Sequence, residues 1–141
     1  MTAATGMLIF GPVDFLLVQA PITVLASIAG VWLFYVQHQF NGTYWKRGPA
    51  WSFSAAALKG SSHYDLPRLM SWFSADIGLH HIHHLCSKIP NYRLRECLRR
   101  NPGLAAETKF GFRRSLATIR LALWDEREER LVGFGQLKYL V

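Results

Sequence analysis

The chain has 141 residues, a formal net charge of +7 and a hydrophobic fraction of 50%. This length allows one ordinary domain with a core and leaves little room for two. The mean hydropathy of +0.10 is high for a soluble protein of this charge, which indicates that apolar and charged residues are segregated. Residues 1–45 contain no Lys or Arg, whereas residues 46–141 hold all sixteen. The composition therefore indicates an apolar N-terminal part followed by a basic part.

Several functional classes are disfavoured at this stage. The two cysteines, Cys86 and Cys97, lie eleven residues apart without a Cys-x-x-Cys spacing, so a disulfide framework is not indicated. The chain has no Gly-rich phosphate loop and no nucleophile elbow. The formal charge of +8 after residue 45, sixteen bases minus eight acids, raises the hypothesis of a nucleic-acid or anionic-surface binder. No recognisable nucleic-acid module accompanies that charge, so no nucleic-acid partner is expected.

The apolar part contains a candidate membrane span. Residues 15–36 are twenty-two residues without a formal charge. As a helix they would reach about 33 Å, enough to cross a hydrocarbon core of about 30 Å. A cleaved signal peptide and a buried soluble helix are the alternatives, but no basic region precedes the segment. We predict a transmembrane helix at 15–36, with the basic residues 37–141 in the cytoplasm according to the positive-inside rule.

The rest of the chain predicts an all-α fold. Residues 51–60 and 66–85 both have helical character, with Pro67 suited to a first turn. A later segment has apolar residues at helical spacing: Phe112, Leu116, Ile119 and Leu123. This helix either lies on the bilayer surface, with its arginines at the headgroups, or packs into a core. Residues 125–130 are a solvated charge run without a predicted site, and residues 130–141 are a short, Gly-broken and extended segment.

The densest chemical signal is a group of four histidines within residues 80–84. On a helix, His80, His83 and His84 project within an arc of about 100°. Three such imidazoles would repel one another if protonated and would lack partners if buried neutral. A metal ion removes both problems, because neutral imidazole binds zinc, iron, copper or nickel. The adjacency of His83 and His84 favours two metal ions over one, but the spacing alone leaves the metal undecided.

Several segments together resemble a known family. "HHIHHLCSKIPNYRL", preceded by "FYVQHQFNGTYW" and "GSSHYDLPRLMSWF" and followed by "LWDEREERLVGF", is similar to the C-terminal half of bacterial membrane-bound fatty acid desaturases of the acyl-lipid omega-6 (delta-12) type. The resemblance covers residues 15–134. It implies a non-haem diiron centre at the cytoplasmic membrane face. That centre would use dioxygen, and electrons from a ferredoxin or cytochrome, to introduce a double bond into a fatty acyl chain.

The resemblance also implies roles for individual residues. The third histidine box of the family, His-x-x-His-His, matches His80, His83 and His84 as iron ligands. His38, two residues beyond the predicted span, matches a further ligand. His81 occupies a variable position of the box, where it would support a ligand or face solvent. Independently of the resemblance, Asp76 lies four residues before His80 on the same predicted helical face and could orient an imidazole. His63 stands where the family has an aromatic residue and is not predicted as a ligand.

The chain also departs from the family pattern. Desaturases have two earlier histidine boxes, and this sequence has no histidine before His38. We therefore expect the C-terminal part of a desaturase domain: a truncated product, a separately translated half or a sequence fragment, inactive alone. A membrane-tethered zinc protein and a non-catalytic desaturase remnant are the alternatives. Because related hydroxylases share such boxes, the resemblance leaves open desaturation or hydroxylation, the regioselectivity and the acyl carrier.

Overall fold

The computed structural model of the chain describes residues 3–139. The chain divides into two compact units, the first within Met1–Phe34 and the second within Tyr35–Val141. The helices are α1 (Ala3–Phe10), α2 (Pro12–His38), α3 (Phe53–Lys59), α4 (Arg68–Phe73), α5 (His80–Leu85), α6 (Asn91–Arg100) and α7 (Phe112–Ser115). The strands are β1 (His63–Asp65), β2 (Lys109–Gly111), β3 (Leu123–Asp125) and β4 (Arg130–Val132). Short 3₁₀ turns complete the regular structure: Gly48–Ala50, Pro102–Leu104, Leu116–Arg120 and Phe134–Tyr139.

The first unit consists of α1 and most of α2. Gly11 separates the two helices with a φ of 83°, a left-handed conformation that a glycine adopts without strain. The predicted helix at 15–36 lies within α2, which has Pro21 in its interior. Among the described residues, α2 is the one helix long and apolar enough to cross a membrane, judged by length and composition. Its apolar side chains are largely exposed, as those of Leu17 and Val31 are.

The second unit is helical with two small sheets. β1 and β2 pair in parallel, and β3 and β4 pair antiparallel. The all-α prediction is confirmed in its coarser form, because the chain is mostly helical. The strands were not predicted, because each has only three residues, too few for alternating polarity to be recognised in the sequence.

The continuous helix predicted at 66–85 is wrong. The structure has α4 and α5 there, separated by a turn in which Ala75 and Asp76 have φ values of 55° and 54°. The turn is held by backbone hydrogen bonds, including one of 2.7 Å from the Asp76 N–H to the Ser71 carbonyl. Next, the Gly78 carbonyl accepts the Tyr64 N–H at 2.9 Å. A β-carbon at Gly78 would stand 2.2 Å from the Tyr64 carbonyl oxygen, so only glycine lets β1 approach this closely.

The amphipathic segment is shorter than predicted. α7 ends at Ser115 and continues as the 3₁₀ turn Leu116–Arg120, whereas Leu123 belongs to β3. Three of its apolar side chains are exposed by about half: Phe112 48%, Leu116 49% and Ile119 58%. The core-packing alternative is therefore wrong within this chain.

The charge run at 125–130 forms the turn between β3 and β4. The Asp125 carboxylate accepts the N–H groups of Arg127 and Glu128 at 2.9 and 3.2 Å. The prediction of an extended segment at 130–141 is correct for β4 only, because a 3₁₀ turn follows that strand. Residues 140–141 lie outside the described residues.

A small apolar core fixes α5 against α6. Leu79, Ile82 and Leu94 are buried together, and Ile89, Cys97 and Leu98 pack around them. Full burial of such a side chain contributes about 1.5–3 kcal/mol. Both cysteines are free thiols, as expected. This core holds the histidine-bearing helix against α6, and the helix also packs against α3 and β1.

Candidate metal centre

Three histidines of the second unit converge on one point. His38 is the last residue of α2, while His80 begins α5 and His84 lies one turn later. The Nε2 atom of His84 is 3.2 Å from that of His38 and 3.0 Å from that of His80. One ligand atom from each residue lies within 4.8 Å of the others, an arrangement that could hold a metal ion. We call these three residues the histidine triad.

Local structure explains the convergence. His80 and His84 are four residues apart on α5, so their side chains share one helix face. His38 is brought near by the segment around it: Val36, Gln37 and Phe40 are buried, and the Gln37 carbonyl accepts the Ser62 N–H at 3.0 Å. The chain from α2 to β1 is thereby fixed at the site.

Two members of the triad, His80 and His84, are shifted toward the neutral form. Burial, followed by the nearby charges of His84 and His38, lowers the pKa of His80 to about 3. Burial and His38 also lower the pKa of His84. Neutral imidazole is the form that binds transition metals. His80 Nδ1 is buried without a hydrogen-bond partner in the described part of the chain.

The donor set fits a transition metal ion. Nitrogen atoms about 2.0–2.1 Å from a shared ion lie about 3 Å from one another, close to the separations of 3.2 and 3.0 Å that His84 makes with His38 and His80. Three imidazoles suit zinc or iron better than they suit calcium or magnesium, which prefer oxygen ligands.

His83 lies beside the triad and outside it. It is half-buried, and its ring stacks on that of His80 with the centroids 5.7 Å apart. Its ring centroid is 6.1 Å from that of His84. Of the four predicted ligands, the structure thus brings together His38, His80 and His84, and leaves His83 at the edge.

Asp76 and His81 lie in surroundings that the sequence did not predict. Asp76 does not contact an imidazole: its carboxylate accepts a hydrogen bond of 2.7 Å from Arg95 of α6. The left-handed backbone at Asp76 turns its side chain toward α6, which the assumption of a continuous helix concealed. His81 does not face solvent: it is fully buried, and its ring centroid is 5.7 Å from that of His63.

A cavity adjoins the triad. Its volume is about 320 Å³, and His38 and His84 form part of its wall. Aromatic residues form much of the remainder: Tyr44, Trp45, Trp51 and Phe53. Sequence reasoning missed this cavity, although the aromatic residues between 44 and 53 were an available signal.

Comparison with known proteins identifies the family. The sequence model described as "Fatty acid desaturase" matches residues 1–115. The chain belongs to the fatty acid desaturase family. This confirms the resemblance inferred from the histidine box and its flanking segments. Desaturases of this family generally depend on iron, associate with membranes and act on fatty acyl lipids.

Three relatives illustrate the likeness. A fatty acid desaturase of Bacillus subtilis is 42% identical over 98% of this chain and 39% of its own length. An sn-1 oleoyl-lipid 12-desaturase of Picosynechococcus is 31% identical over 61% of the chain and 26% of its own length. The chloroplastic omega-6 fatty acid desaturase of Spinacia oleracea is 37% identical over 43% of the chain and 13% of its own length. The chain thus spans about two fifths of the Bacillus relative and less of the others. No solved structure matches it.

Proposed function

We propose that this chain forms part of a membrane-bound, non-haem diiron fatty acid desaturase, which introduces a double bond into a fatty acyl chain using dioxygen and two electrons. The observation that carries the proposal is the convergence of His38, His80 and His84, with Nε2 separations of 3.0 and 3.2 Å, in a chain of the desaturase family. Bound iron would supply the oxidation chemistry.

The ligand assignment rests on the positions of the histidines. His38, His80 and His84 would hold one iron ion. His83, whose ring stacks on His80, would reach a second ion by a rotation of its side chain. Two ions with open positions need more ligands than these four histidines. The remaining ligands would come from the earlier boxes of the family, so we expect the chain alone to bind iron weakly and not to turn over.

The cavity beside the triad suits an acyl chain. Ligand cavities are mostly apolar and carry a few polar groups at the reacting end. Here the aromatic walls are formed by residues such as Trp51 and Phe53, while His38 and His84 line the same space. An acyl methylene in this cavity would therefore lie against the proposed iron site.

The membrane assignment rests on exposed apolar surface. Residues 15–36 of α2 would cross the bilayer, and the basic residues 37–141 would lie on its cytoplasmic side. The exposed side chains of Phe112, Leu116 and Ile119 would enter the lipid interface, with the intervening arginines at the phosphates. The same cytoplasmic face would receive a ferredoxin or cytochrome electron donor.

Complementation tests this proposal. The full chain is expressed in a host without desaturases, alone and together with an N-terminal desaturase segment that carries the two earlier boxes. We expect a full complement of iron and new double bonds only in the co-expressed sample, and their loss in its His84→Ala variant. Ser87→Ala, an exposed change just after the box, is the matched control and should retain activity. Stoichiometric zinc without iron in both samples would instead support the membrane-tethered zinc protein.

A further inference from the structure

His81 is buried in a way that the desaturase site does not explain. The residue is 0% exposed, and both of its ring nitrogens lack a hydrogen-bond partner in the described part of the chain. Burial lowers the pKa of His81, whereas the Leu104 backbone raises it, as a weak hydrogen-bond acceptor would. A buried polar group without a good partner is destabilising, and imidazole has two ring nitrogens to satisfy. This arrangement indicates that something binds to the ring.

His81 faces a different neighbour from the triad. Adjacent residues on a helix point about 100° apart, so His81 diverges from His80. Its neighbour is His63 of β1, with a distance of 5.7 Å between the ring centroids and an angle of 37° between the ring planes. His63 plays no part in the triad.

Backbone hydrogen bonds fix both residues. The His63 N–H donates to the Thr108 carbonyl at 2.9 Å, and the Tyr64 N–H donates to the Gly78 carbonyl at 2.9 Å. β1 is thereby anchored both to the segment before β2 and to the turn that leads into α5. His63 and His81 are consequently held by rigid segments that are eighteen positions apart in the sequence.

We propose that His63 and His81 form a second metal site, separate from the triad, for a borderline divalent ion such as Zn²⁺ with water completing its coordination. With metal–nitrogen distances of about 2.0–2.1 Å, the centroids of two imidazoles on one ion lie about 5 Å apart in tetrahedral geometry and about 6 Å apart in linear geometry. The observed 5.7 Å falls within this range. The ion would give one of the two buried nitrogens of His81 a partner.

The surrounding charges permit a cation. The nearby Lys109 and Arg95 act on His63 together with Asp65, which has the opposite sign. Lys109 is paired with Asp65 at 3.1 Å, and Arg95 is paired with Asp76 at 2.7 Å. Burial lowers the pKa of both His63 and His81, so both are neutral and able to bind metal at pH 7. Because the two cations are compensated, we expect a divalent ion to be tolerated.

Zinc binding to the full chain in lipid nanodiscs tests this site. The background variant His38→Ala/His83→Ala/His84→Ala removes two of the three triad ligands and the imidazole that stacks on the third. We expect it to bind one Zn²⁺, with X-ray absorption reporting two imidazoles and oxygen. His63→Phe and His81→Leu, each added to this background, should weaken zinc binding at least tenfold. Ser87→Ala in the same background is the matched control and should have no effect.

Three results would overturn the site. These are no zinc in the background variant, unchanged zinc affinity after His63→Phe, or a sulfur ligand at about 2.3 Å, which would assign the ion to a cysteine. The thermal midpoint of each variant without metal separates loss of the site from loss of the fold. Should His63→Phe fail to fold, His81→Leu and the absorption spectrum of the background protein decide the question. Iron loading of the unsubstituted triad is measured separately, so a failure here leaves the proposed desaturase role standing.

Discussion

The two sides of α5 carry histidines in contrasting surroundings. On one side, His80 and His84 meet His38 with nitrogen atoms about 3 Å apart. On the other side, His81 is enclosed beside His63, and its ring nitrogens lack partners in the described residues. The adjacent residues His80 and His81 thus lie in two different environments. A dense histidine motif is therefore not one site, because the helix directs its histidine side chains toward different parts of the chain.

Truncating the buried residue that anchors α5 should have the largest effect on stability. Ile82 is fully buried against Leu79 and Leu94. We expect Ile82→Ala to lower the free energy of unfolding by about 2–5 kcal/mol, because a buried isoleucine leaves a cavity. Chemical denaturation of the second unit measures this change. Leu116→Ala, at an exposed position, should change it by less than about 0.5 kcal/mol, and an equal loss in both variants would contradict the assigned core.

Metal affinity should separate the two sides of the helix. His84→Ala removes a member of the triad, and we expect Co²⁺ affinity at that site to fall at least about 100-fold, since even partners of metal ligands are worth about 10–100-fold. His81→Leu should change it less than about threefold. Titration followed by the visible absorption of Co²⁺ measures both. Similar losses in the two variants would mean that His81 also serves the triad.

The pH dependence of stability should reflect the buried histidines on both sides of α5. The folded-state pKa values of His80 and His81 are lowered to about 3 and about 4, from an ordinary value of 6.5. Between pH 6.5 and pH 4 the unfolded chain therefore binds protons that the folded chain does not, so stability falls as the pH falls. We expect a loss of about 1–2 kcal/mol per histidine between pH 7 and pH 5.

Thermal midpoints of the metal-free chain across this pH range measure the acid response. His81→Leu should flatten the profile, because it removes the contribution of one histidine. A steeper profile in that variant would contradict the burial of His81.

A substitution in the turn before α5 should have the smallest effect on stability. Asp76→Asn keeps a residue type that tolerates a positive φ but loses the charge that binds Arg95. We expect a loss of about 0.5–1 kcal/mol in the free energy of unfolding and no change in metal affinity, because Asp76 contacts no imidazole. Arg100→Ala breaks an exposed pair with Glu96 on α6 and is the matched control. A fall in metal affinity after Asp76→Asn would restore the predicted role of Asp76 in orienting an imidazole.

The sequence predicted features that depend on local spacing. The apolar run at 15–36 lies in a helix, and the four-residue spacing of His80 and His84 brings their side chains together. The family was also predictable, because the box and its flanking segments are specific.

Features that depend on distant residues were not predictable. The break at Asp76 requires its hydrogen bond to Ser71 and the close approach of Tyr64 to Gly78. The burial of His81 depends on β1, which is too short to recognise in the sequence. The apolar face of α7 was visible, but its exposure depends on what the rest of the chain leaves uncovered.

The most direct test is X-ray absorption of Fe²⁺ or Co²⁺ bound to the His81→Leu chain in nanodiscs, which lacks the proposed second site, compared with the same chain carrying His38→Ala. We expect three imidazole ligands in the His81→Leu chain and two in the doubly substituted chain, since His38 and the box share one ion. Equal imidazole counts in the two samples would contradict the shared centre.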